Sequence, residues 1–117
     1  RIGPAIEHDP LFPRRINATL ARVVDPGRID IRVWERGAGL TRACGTAACA
    51  TAALGLRTGR TGRSVTIGLP GGDLEIGIGE DGTIVMAGAV ETDFAGTLDP
   101  EFGTFLRDAA APATAAG

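Results

Sequence analysis

A chain of 117 residues, 44% apolar and 22% charged, has room for one domain with a single modest core. Its net charge of −2 is too small to point to a nucleic-acid partner. No apolar run is long enough to cross a bilayer and nothing at the start resembles a signal peptide, so a cytoplasmic protein with no membrane partner is expected. The basic residues are all arginine, and the absence of lysine excludes pyridoxal-phosphate chemistry built on a Schiff base of this chain.

The opening segment, Gly3 to Arg15, is punctuated by Pro4, Pro10 and Pro13, which permit no more than a helical turn or two, around Ala5 to Asp9. Asn17 to Val24 alternates and reads as a strand, followed by a turn at Asp25-Pro26-Gly27. Ile29, Ile31 and Val33 share one face of a second strand ending at Trp34, and the two strands form a hairpin. A loop from Glu35 to Ala43 contains Gly37 and Gly39. Gly45 to Arg57 is dense in alanine and reads as a buried helix closed by Gly59. Arg57, Arg60 and Arg63 gather at its end, where they complement the helix dipole rather than form a phosphate site. Strands follow at Ser64 to Leu69, Asp73 to Ile78 and Thr83 to Ala87, joined by turns at Gly71-Gly72 and Asp81-Gly82. A last strand is predicted over Val90 to Leu98. The expectation is an α+β domain over residues 1–98, with mostly antiparallel strands wrapped around a central Ala-rich helix. Residues 99–117 read as a low-complexity tail that frays.

Chemistry concentrates between Trp34 and Ala50. A strand delivers Glu35 and Arg36 to its end, a glycine-containing loop follows, and Cys44 stands at the start of the alanine helix. A thiolate there is stabilised by unpaired backbone N–H groups and by the positive end of the helix dipole. The N–H groups of Gly45, Thr46 and Ala47 can cradle a carboxylate, and Gly45 lets a ligand approach the backbone closely. Against this, free cysteine is among the most buried residue types, and a core role is the ordinary expectation for such a residue. Cys49 keeps that core reading. The two thiols lie five residues apart on one helix and are poorly placed for a disulfide, so both are expected free. Two cysteines and the single histidine, His8, do not make a closed zinc site, and no metal is expected.

The segment ERGAGLTRACGTAACA, residues 35–50, resembles the second-cysteine signature of the diaminopimelate epimerases. GPAIEHDPLFPRRINA, residues 3–18, is similar to an upstream block of that family. LPGGDLEI, residues 69–76, and MAGAVETDFAGTL, residues 86–98, resemble its closing strands. The resemblance implies a two-domain fold with pseudo-twofold symmetry, of which this chain is one half, incomplete at its N-terminal end. It also implies cofactor-independent epimerisation of LL-diaminopimelate to the meso form, a step toward lysine and cell-wall precursors. Cys44 matches one of two catalytic cysteines that face opposite sides of the substrate α-carbon. Gly45 and Thr46 match the positions that hold the α-carboxylate, and Asn17, Glu35 and Arg36 match further substrate-binding positions. The first-cysteine segments of the family are not present, so activity would need the N-terminal domain. A homodimer is among the assemblies that the resemblance admits.

Leu40 and Ala47 depart from the commoner family pattern, a glutamate and a second glycine, at positions beside the thiol. Three rivals follow. A proline or hydroxyproline racemase-like enzyme has a different second-cysteine context. A cysteine hydrolase would use Cys44 with His8. A non-catalytic fragment would carry a structural or anion-binding site.

Overall fold

In a computed structural model of the chain, residues 1–109 are described. The elements in chain order are α1 (Ile2–Glu7), β1 (Ala18–Asp25), β2 (Arg28–Glu35), β3 (Gly39–Thr41) and α2 (Gly45–Arg57), followed by β4 (Ser64–Leu69), β5 (Gly72–Ile78), β6 (Ile84–Gly88), β7 (Gly96–Leu98) and β8 (Phe105–Arg107). The chain is α+β and its pairings are mostly antiparallel. Strands run in the order β1-β2-β4-β5-β6, with β3 folded back on β2 and a separate β7–β8 hairpin. The exception is β2 with β4, which are parallel, as Ile29 beside Ile67 shows; α2 makes the crossover that a parallel pair requires.

The period-2 pattern of β2 fixes which face is buried. Ile29, Ile31 and Val33 are buried with Val65, Ile67 and Leu69 of β4 and Ile76 of β5, and α2 covers them with Ala47, Ala48 and Ala52. Small helical side chains let the helix axis approach the sheet, so the strands supply most of the apolar volume. Gly55 takes this furthest: a Cβ there would lie 2.6 Å from Thr61 Oγ1 and 3.2 Å from Ile29 Cδ1. Gly55→Val should therefore destabilise the chain by about 1–3 kcal/mol through overpacking, read as a lower urea midpoint with an unchanged slope.

Among the described residues α2 lies on one face of the sheet, touching β2, β4, β5 and β6, and β6 does not close onto β1. The α2-facing side of β1 thus stays open, with Val23 42% exposed. The long strand predicted over Val90–Leu98 is reduced to β7, because residues 89–95 leave the sheet. Two strands went unforeseen: β3, hidden in the glycine loop, and β8. Within the segment read as a tail, residues 99–109 include β8, where Leu106 stands opposite Thr97 and Arg107 lies over the Phe94 ring at 4.5 Å. The rest of that segment, 110–117, lies outside the described residues. No helix among the described residues is long and apolar enough to cross a membrane.

Candidate active site at the start of helix α2

The site is built by the β2–β3 hairpin. Gly39 stands opposite Glu35, and Thr41 opposite Val33, so the chain doubles back along β2 before turning into the helix. The N–H of Gly71 then donates to the carbonyl of Arg42 at 2.8 Å, tying the approach to α2 onto the β4–β5 turn. Cys44 follows as the N-cap of α2 in an extended conformation, φ −153° and ψ 101°. Its carbonyl accepts the first helical bond, from the N–H of Ala48 at 3.1 Å. The preceding N–H groups, those of Gly45, Thr46 and Ala47, have no carbonyl behind them in the helix and point out of its first turn. Cys44 is half-buried and its Sγ lies 3.5 Å from Thr46 Oγ1. One turn of helix thus assembles a thiol, a hydroxyl and a fan of backbone donors.

The other matched residues form a second group at the end of β2. Asn17 Oδ1 accepts the backbone N–H of Arg36 at 2.8 Å, and the Arg36 guanidinium donates to the carbonyl of Arg14 at 3.0 Å. Glu35 Oε1 accepts the Thr41 hydroxyl at 2.6 Å, and the alternation of β2 turns Glu35 to the face that carries α2. The structure therefore brings Asn17 to Arg36, Glu35 to Thr41, and Cys44 to Thr46. Among the described residues no hydrogen bond or ion pair joins Glu35 or Arg36 to Cys44 or Thr46. The shared connection is covalent: Thr41, which holds Glu35, lies three residues before the thiol.

His8 is exposed and spends Nδ1 on the Pro4 carbonyl at 2.9 Å within α1. No bond links it to Cys44, and the hydrolase pairing receives no support. Cys49 packs against the core cluster. Leu40 is 67% exposed on the short strand β3, whereas Ala47 is buried against the sheet, where a small residue suits the close helix approach. No group of three or more potential metal ligands occurs among the described residues.

Sequence reading missed Glu7. This carboxylate is 3% exposed; Oε2 accepts the Trp34 indole N–H at 2.7 Å, Oε1 accepts the Gly37 N–H at 3.1 Å, and Arg15 lies 3.6 Å away. It thereby fixes the turn that follows Glu35 and Arg36. Nothing in the local pattern marks it, since its main partner is 27 residues away. The Trp34 bond holds its pKa below the ordinary 4.5, with burial opposing and the Gly37 bond assisting. Because the folded value is depressed, the stabilisation is present above 4.5 and lost as pH falls through the lowered value. Asp30, bonded to Arg22, and Asp73, bonded to Arg28, are lowered in the same sense. Glu7→Gln should flatten part of the loss of stability between about pH 5 and pH 2, while Asp30, Asp73 and Asp81, the last lowered by its bonds from Thr83, keep the remainder. Urea midpoints across that range are the check, and an unchanged pH profile would remove Glu7 from this role.

The family model for diaminopimelate epimerase matches residues 1–92. A diaminopimelate epimerase of Brucella anthropi is 53% identical over 109 residues, and those of Brucella canis and Brucella suis are 52% identical over 108. These alignments cover 93% and 92% of the chain respectively. The chain spans only 36% of the length of each relative.

Proposed function

From the premise that this chain belongs to the diaminopimelate epimerase family, we propose that it supplies one of the two catalytic thiols that interconvert LL- and meso-diaminopimelate without a cofactor. The observation that carries this reading is Cys44 as the N-cap of α2, with its thiol beside Thr46 and the first-turn N–H groups next to it. In the reaction one thiolate takes the α-proton, breaking the Cα–H bond, and a thiol on the other face delivers a proton to the carbanion. Cys44 serves as base for one stereoisomer and as acid for the other. The N–H groups of Gly45 and Thr46 hold the α-carboxylate, where the helix dipole offsets charge developing beside it. Glu35, Arg36 and Asn17 bind the remaining charged groups of the amino acid. The Glu35–Thr41 and Asn17–Arg36 bonds support that assignment by fixing the end of β2 before substrate arrives.

Cys49 is no substitute for the opposing thiol, because it rides on the same helix as Cys44 and packs into the core. The second thiol then comes from an N-terminal domain of the same enzyme, related to this one by a pseudo-twofold axis. Alone, these 117 residues are inactive; the whole enzyme works in the cytoplasm, in lysine biosynthesis, with a homodimer as its candidate assembly. The test is α-proton loss from LL-diaminopimelate in D₂O, followed by NMR, in a full-length family protein carrying this sequence. Washout that requires Cys44 supports the reading. A folded protein that leaves the α-proton in place rejects it and directs attention to proline-type substrates.

A further inference from the structure

Strand β6 places one side chain against the helix start. Met86 stands opposite Ile76 of β5, and Ile76 is buried beneath α2, so the pleat turns Met86 to the same side of the sheet. Beyond β6 no further strand joins this sheet among the described residues, and the Met86 side chain reaches to Gly45. The Cβ that Gly45 lacks would lie 3.1 Å from both Sδ and Cε of Met86. The thioether is thus seated close against the residue that follows Cys44, where a Cβ would crowd it. Methionine suits such a place, being unbranched, polarizable and able to adjust to what approaches.

We propose that Met86 is a positioning residue, an apolar flank that screens the Cys44–Gly45 turn from solvent on the β6 side and restricts entry to the remaining side. This rests on the reading of Cys44 as a working thiol only for its consequence in turnover. The screening itself is a property of the fold. For a reaction that removes a weakly acidic proton, a dry wall beside the thiol strengthens the electrostatic support from the helix start. A side chain at position 45 would press on this wall, because its Cβ would lie 3.1 Å from Met86 Sδ and Cε. Met86 is itself 48% exposed, so it covers the turn from one side without enclosing it.

The experiment is alkylation by iodoacetamide at neutral pH of a full-length family protein carrying this sequence, with the Cys44 and Cys49 peptides separated by fragmentation. Met86→Ala should raise the Cys44 rate by roughly threefold or more, since thiol reactivity follows access, while Met86→Leu restores it. Cys49, held against the core, reports on the helix and should keep its rate in both variants. An unchanged Cys44 rate in Met86→Ala overturns the proposal. A parallel rise at Cys49 overturns it too, because the helix has then loosened as a whole. Diaminopimelate takes no part in this measurement. Failure of the epimerase reading would show as absent α-proton washout with the alkylation contrast intact.

Discussion

Cys44→Ala in the full-length enzyme should lower α-proton exchange from diaminopimelate by at least roughly 10²–10⁴-fold, the range that a positioned acid–base group contributes. The change removes only a sulfur from the N-cap. No side-chain capping bond is lost with it, because Cys44 makes none, and the extended backbone at φ −153° suits alanine equally. Fold stability should stay within about 1 kcal/mol of the native value, as for a change that opens no large cavity. The measurement pairs the NMR washout with urea unfolding of the same sample. Exchange that survives in a stable Cys44→Ala protein would remove the thiol from the mechanism. Loss of exchange together with loss of stability would mean that Cys44 acts through packing.

The largest effect on stability is expected at Ile67. It is fully buried on β4, beside Ile29 of the parallel strand and opposite Leu74 of the antiparallel one. Ile67→Ala should cost about 2–5 kcal/mol, from lost transfer energy and from a cavity that cannot collapse between two paired strands. Typical domains have only about 5–15 kcal/mol in total, so such a variant stands near the edge of folding. Leu40→Ala is the contrast. With Leu40 67% exposed on β3, its removal should shift stability by less than about 0.5 kcal/mol. Equal effects at the two positions would contradict the placement of the core beneath α2.

Much of this architecture was legible along the chain because its causes are local. Alanines with a closing Gly59 mark α2, alternation marks β2 and β4, and Asp81-Gly82 marks the β5–β6 turn, where Asp81 accepts from both the N–H and the hydroxyl of Thr83. Strand β3 was not legible. Three residues inside a glycine loop carry no period, and their strand character comes from pairing with β2. Val90 to Leu98 failed for the opposite reason. Its composition favours a strand, yet only Gly96–Leu98 pairs, with β8 as partner.

The candidate site divides along the same line. Along the chain alone one can read that Cys44 opens a helix, that Gly45 and Thr46 follow it, and that Glu35 and Arg36 end a strand, because caps and periods act over a few residues. The sequence also carried the family resemblance that the comparisons bear out. The folded arrangement was needed to see that Glu7 is buried beside Trp34, that Asn17 holds the Arg36 backbone, that α2 covers one face of an open sheet, and that Met86 closes on Gly45. Each of those contacts joins residues from 19 to 41 positions apart. A hydrogen bond or close packing at that separation depends on where the chain returns, and the return is set by sheet register and helix packing rather than by any local preference.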